Sequence, residues 1–171
     1  MKLLAVSCWL LAVSSAVCGC SSSYSWRSSV PADARTVTVP TFRNESNVSE
    51  VGALASRQLL REFQREGTFK VRTSGEAAIE VQGVIKSVSP ALAAYNRRAG
   101  GRVAAYDLSA TAEISVIDKR TRKVLVDNRK YVANATFTAG QDRTTAVRDA
   151  SGRLMDDLAR QVVDDILNLK W

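Results

Sequence analysis

From Tyr106 to Val116 the side chains alternate: Tyr106, Leu108, Ala110, Ala112, Ile114 and Val116 on one parity, and Asp107, Ser109, Thr111, Glu113 and Ser115 on the other. Successive side chains of an extended strand point to opposite faces, so this period of two specifies a long strand with one buried and one wetted face. Such a strand needs a neighbour beside it and an apolar cover on one side. The charged stretch Asp118-Lys119-Arg120-Thr121-Arg122 supplies a turn, and Lys123 to Phe137 return as the paired strand. That return changes phase, because Val124 and Val126 share one parity while Tyr131, Ala133, Ala135 and Phe137 share the other. An extra residue between Asp127 and Lys130 explains the change, which predicts a β-bulge or twist there.

Two amphipathic helices can supply the cover. In the first, Val51, Ala55, Leu59 and Phe63 recur every fourth residue, with Leu54 and Leu60 widening the stripe. Asn47 with Glu50 has the spacing of a capping box, and Gly67 is placed to end the helix. The second runs from Asp142 as cap to about Leu169 on a stripe of Val147, Ala150, Leu154, Leu158, Val162 and Ile166. Before the first helix, the β-branched run Arg35 to Val39 reads as a strand stopped by Pro40. After it, Thr68 to Thr73 and Ile79 to Val88 read as strands, the latter with Ile79, Val81 and Ile85 facing inward. Strand, helix and strand in that order imply a right-handed crossover. Residues 89–102, holding Pro90 and Gly100-Gly101, read as a long connection suited to binding. The expected fold is α+β in the order β-α-β-β-β-β-α, a mixed sheet of four to five strands with two helices on one face.

The first 19 residues belong to a different logic. Lys2, an apolar run from Leu3 to Val13 and the small residues up to Gly19 make a secretory leader. The run is too short for the ~20 apolar residues that span a bilayer. Val17-Cys18-Gly19-Cys20 resembles the lipobox of bacterial lipoproteins, which implies acylation of Cys20 and removal of residues 1–19. Plain secretion with cleavage after Ala16 is the alternative. Residues 20–34 then form a lipidated tether and residues 35–171 a single domain. Ser21 stands where an aspartate would favour retention at the inner membrane, so the expected location is the outer membrane, lipid-anchored on its periplasmic side.

The chain has no histidine, and its three cysteines are Cys8, Cys18 and Cys20. The commonest general base and the usual zinc ligands are therefore missing from the folded part. No phosphate loop, dinucleotide fingerprint or nucleophile elbow is present. No cofactor, no metal and no catalytic residue is expected. The paired acids Asp156-Asp157 and Asp164-Asp165 lie four residues from Arg153 and Arg160, which reads as ion pairing on a solvated helix face.

The net charge of +7 favours polyanionic partners. An exported lipoprotein rarely meets nucleic acid, so the candidates are phospholipid headgroups, lipopolysaccharide phosphates and acidic protein patches. Arg97, Arg98 and Arg102 cluster in the long connection, and Lys119, Arg120, Arg122 and Lys123 in the hairpin turn. Neighbouring strands would put these clusters at opposite ends of the central strand. Arginine grips phosphate through paired hydrogen bonds, whereas a charged turn can equally serve solubility and block edge pairing. Both readings stay open for each cluster.

The order of several features resembles one family over nearly the whole mature chain. They are Cys20 with Tyr24 close behind, Pro31 before a strand, the run Val37-Thr38-Val39-Pro40-Thr41-Phe42-Arg43-Asn44 and the helix that follows. Further on come Arg102-Val103 and Tyr106 opening the alternating strand, the turn from Asp118 to Lys123-Val124-Leu125, and Asn128-Arg129 in the return strand. Together they resemble the lipopolysaccharide-assembly lipoprotein family, LptE. The resemblance implies a protein without turnover that plugs the lumen of a large outer-membrane β-barrel, LptD, helps the barrel fold and assists delivery of lipopolysaccharide to the surface. Lipoproteins of the curli-secretion or penicillin-binding-protein-activator type share the same opening and are the alternative.

Overall fold

A computed structural model describes residues 30–73, 76–96, 102–138 and 143–171. A single 3-10 turn (Ala32–Ala34) leads into β1 (Thr36–Thr38), β2 (Arg43–Asn44), α1 (Val51–Glu66) and β3 (Lys70–Val71). There follow β4 (Ile79–Asn96), β5 (Arg102–Asp118), β6 (Lys123–Thr138) and α2 (Arg143–Leu167). The six strands form one mixed sheet in the order β3-β1-β4-β5-β6, with β2 also on β4. β1 runs parallel to β3 and β4, and β4, β5 and β6 are antiparallel neighbours. The α+β architecture with two helices over the sheet is as the sequence predicts. The additional strand is β2, a two-residue parallel contact that polar residues gave no reason to expect.

The period of two delivers what it promises. Leu108, Ala110, Ala112, Ile114 and Val116 are all buried, as are Ile79, Val81 and Ile85 of β4. Burying one Leu or Ile side chain contributes roughly 1.5–3 kcal/mol, so this face and the α2 stripe of Ala150, Leu154, Leu158, Val162 and Ile166 carry most of the fold. The bulge is also where the phase change puts it. Ile114 pairs with Arg129 but Val116 with Val126, so Asp127 and Asn128 together oppose Ser115. Asn128 takes a positive φ of 40°, and its N–H donates to Ser115 Oγ at 3.0 Å. The extra residue turns Arg129 and Tyr131 toward α2, where both bond Asp165. Burial first, and then Asp165, push the Tyr131 hydroxyl above the ordinary phenol range.

The expected connection over 89–102 is mostly sheet. β4 and β5 stay paired as far as Asn96 with Arg102, leaving residues 97–101 to join them. Pro90 is tolerated because β1 and β2 pair only with the first part of β4, so that Pro90 sits on an edge stretch. Register shifts at Ile85/Ser87, Leu92/Ala94 and Ala94/Tyr95 break the alternation that would have marked a strand.

The Asn47–Glu50 capping box does not form. Glu50 is the cap residue itself, with φ 65° and no side-chain cap hydrogen bond. Asn44 closes the preceding loop instead, its Nδ2 donating to Val48 O at 2.8 Å and its Oδ1 accepting from Ser46 N–H at 3.0 Å. Gly67 ends α1 as expected, with φ 85° and its N–H on Phe63 O. Asp142, the expected cap of α2, lies outside the described residues, and α2 ends at Leu167.

Phe42 locks α1 to the sheet. Its N–H donates to buried Ser56 Oγ at 2.7 Å, and Ser56 Oγ in turn donates to Gly52 O at 3.0 Å. A Cβ on Gly83 would lie 2.4 Å from the Phe42 ring, so the ring occupies the place a side chain of β4 would take. A Cβ on Gly52 would lie 2.4 Å from the Phe42 carbonyl oxygen.

Candidate functional site

The turn after β5 is built on Asp118, a carboxylate only 4% exposed. Its Oδ1 accepts from Arg120 N–H at 2.9 Å and Thr121 N–H at 3.3 Å, and its Oδ2 from the Arg120 guanidinium at 2.8 Å. The same guanidinium bonds Asp33, which ties the start of the fold to this turn. Lys119 Nζ binds Glu80 at 2.9 Å. Gln82 first, and then Lys119, hold the Glu80 carboxyl below its ordinary value by hydrogen bonding. Of the four basic residues singled out here, Lys119 and Arg120 are thus engaged in holding the fold. Arg122 and Lys123 are exposed and make no side-chain hydrogen bond or ion pair among the described residues.

Burial pushes the Asp118 carboxyl up, but the Arg120 guanidinium and the turn N–H groups outweigh it and hold it below the ordinary 3.8. A carboxyl lowered on folding stabilises the fold above its unfolded value and loses that contribution as pH falls through its folded value. Asp118→Asn should therefore cost about 1.5–3 kcal/mol at pH 7, the range for hydrogen bonds to a charged group. The gap to the unsubstituted chain should narrow progressively as pH falls below about 4. Urea unfolding of both at pH 7 and pH 3 checks this; a gap unchanged between the two would show that the charge contributes nothing.

Arg102 and the turn cluster do not meet. Arg102 opens β5 and the turn follows its end, so at about 3.3 Å per residue they stand roughly 50 Å apart. Arg97 and Arg98 lie outside the described residues, as do Cys20 and the expected leader.

A third basic region escapes a reading by clusters. Arg57, Arg61 and Arg65 follow one another at four-residue spacing along α1, and Arg148 and Arg160 belong to α2. The ion pairs expected along α2 do not form: Arg153 donates to Thr136 O at 3.1 Å, capping an edge carbonyl of β6, and Asp157 accepts from Gln161. Between the helices open two clefts. The larger, of about 810 Å³, is lined by Val48, Leu54, Arg57, Val147, Arg148 and Gly152 among others. The smaller, of about 210 Å³, is lined by Gln58, Arg61, Glu62, Arg65, Asp156 and Arg160. The only signal in the sequence was the spacing of the arginines.

The sheet face away from the helices is largely polar, with Val132 of β6 exposed on it. Lys86 Nζ binds Glu45 at 2.6 Å and approaches Glu113 at 3.9 Å, and Arg43 also binds Glu45. Among the described residues, no group of three histidine, cysteine or acidic side chains could hold a metal, and no helix is long and apolar enough to cross a membrane.

Known proteins bear on this arrangement. The sequence model described as LptE, lipopolysaccharide-assembly, matches residues 34–168. Among curated proteins, none matches the chain in sequence. A hypothetical protein from Chlamydia trachomatis shares the fold with a TM-score of 0.56 at 12% identity, over 79% of this chain and 97% of its own. A minor lipoprotein from Acinetobacter baumannii does so with a TM-score of 0.51 at 13% identity, over 78% and 93%.

Proposed function

The chain belongs to the LptE lipopolysaccharide-assembly family, and from that premise we propose that it is an outer-membrane lipoprotein, anchored through Cys20, that plugs an LptD-like β-barrel and helps deliver lipopolysaccharide to the outer leaflet. The family is one of non-enzymatic envelope lipoproteins. The observation that carries the reading is the extent of the family match, which runs from Ala34, near the start of the described core, through β6 and all of α2. A plug must keep its shape against a barrel wall and present polar surface to a wet lumen. The polar sheet face, the pinned turn and the bonded β6–α2 contact support that role.

The deciding experiment is recovery of the chain from native membranes in mild detergent, followed by mass spectrometry. A large outer-membrane β-barrel and lipopolysaccharide should accompany it; recovery alone would defeat the proposal. Contact with lipid A phosphates is assigned to the free cations of the turn. Arg122→Glu with Lys123→Glu should weaken binding to purified lipopolysaccharide roughly fivefold, in a salt-dependent way, as two exposed ion pairs would. Reversing Lys119 or Arg120 is no clean test, because both hold the fold. Unchanged affinity in the double variant would remove the turn from the binding surface.

A further inference from the structure

We propose that the seam between α1 and α2 is a docking groove for an acidic protein segment of the barrel partner. One or two apolar side chains of that segment sit in the 810 Å³ cleft, and its carboxylates meet the arginines along the seam. The proposal rests on the reading that this chain lodges in such a barrel, and it names where on its surface the barrel would grip.

The shape comes first. Val48, Leu54 and Val147 are half-buried aliphatic side chains that line the cleft. Gly152 opens it further: a Cβ there would meet nothing within 4 Å, so no neighbour requires glycine at this position of a helix interior. A concave apolar floor of this size suits small anchors. It is an open cleft and not the enclosed dry channel that an acyl chain needs, and its rim carries Ser49 and Glu50.

Charge then selects the occupant. Arg57 and Arg148 flank the floor, and Arg61 and Arg160 continue the line into the smaller cleft. Among the described residues none of these four forms an ion pair; within the seam Arg65 alone does, with Glu62. Arginines left without carboxylates on both banks of a groove are complementary to acidic side chains spaced along a chain. Glu50 and Asp156 interrupt the line. They would repel a cluster of phosphates, whereas a peptide can meet them with backbone N–H groups or a basic side chain. A protein segment therefore fits this groove better than a phosphorylated glycolipid.

The test places the photo-crosslinking residue p-benzoylphenylalanine at Gly152 of the full chain in its native envelope. The expected product is a single adduct to the barrel, within a few residues of at least two Asp or Glu, and Arg57→Glu with Arg148→Glu should cut its yield about tenfold. An adduct to lipid, an adduct to a segment without acids, or no adduct while the barrel still co-purifies each overturns the groove and leaves the plug reading standing. If the barrel does not accompany the unsubstituted chain, the plug reading fails by itself. The groove is then judged by titrating the solubilised full chain with the peptide EELLEELLEE and its lysine counterpart. Saturable binding of the acidic peptide alone, weakened about tenfold by the same double variant, upholds it; no binding, or binding that the variant does not change, overturns it. Arg57 and Arg148 are exposed and Gly152 is half-buried, and an unchanged melting temperature verifies that the variants fold.

Discussion

Phe42→Ala should remove about 3–5 kcal/mol of stability, the range for deleting a buried aromatic side chain. The ring is only 4% exposed and fills the space over Gly83, so its loss leaves a void between β4 and α1. Gly52→Ala probes the same junction from the helix side. Alanine in place of a helical glycine ordinarily gains about 1 kcal/mol. Here the added Cβ meets a backbone oxygen at 2.4 Å, which cannot turn aside as a flexible side chain would. The helix must retreat, which strains the Ser56 bond to Phe42 N–H as well. Overpacking costs about 1–3 kcal/mol, so the net result should be a loss of about 1 kcal/mol and a melting temperature lower by roughly 3–5 °C. Gly152→Ala is the internal contrast: with nothing within 4 Å it should gain about 0.5–1 kcal/mol. Thermal and urea unfolding of the three variants decide the matter. A Gly52→Ala chain as stable as the Gly152→Ala one would show that α1 is not held against Phe42 as described.

The contrast between the glycines marks what a sequence can and cannot disclose. The alternation over Tyr106 to Val116 and the phase change before Tyr131 were legible, because side-chain direction in a strand follows from position alone. The two helix stripes were legible for the same reason at a period of 3.6. Close approaches were not: nothing near Gly52 or Gly83 announces that Phe42, at a different point in the chain, will rest on both. Beyond Val88 the sequence hides the period of β4, because Pro90, an alanine-rich stretch and three register shifts interrupt it, and pairing with the long β5 overrides that weak local preference. Asn47 and Glu50 have the right spacing for a cap, but Asn44 closes the loop first and leaves Glu50 as the turning residue.

The site divided in the same way. A run of basic residues in the turn is visible to any reader of the chain. That Asp118 and Glu80 would take Arg120 and Lys119 out of circulation depends on which strands lie side by side. The seam arginines show the converse. Each helix displays its own spacing, yet only packing α1 against α2 gathers Arg57, Arg61, Arg148 and Arg160 along one groove. Expected pairing within α2 hid Arg160, since Asp156 and Asp164 stand at the right intervals and do not bind it in the fold.

Cys20→Ala should abolish recovery of the chain with outer membranes while leaving the folded body intact. In the proposed anchoring the thiol is the nucleophile that accepts the diacylglycerol, and alanine offers none. One acyl chain holds a protein to a bilayer only marginally and two or more hold it stably, each buried methylene contributing about 0.8 kcal/mol, so losing the lipid changes partitioning by orders of magnitude. Stability should not follow, because the buried core of the described residues is assembled from side chains of the domain, from Val30 and Ala34 onward. Two measurements separate these effects: metabolic labelling with palmitate, which should vanish, and the melting temperature of a version exported by a cleavable leader and lacking the anchor, which should match the native chain. Label retained on the Cys20→Ala chain would mean that acylation occurs elsewhere and that Val17-Cys18-Gly19-Cys20 is not the processing site. Loss of both label and melting transition would mean that the anchor is part of the fold, contrary to a body that completes its own core.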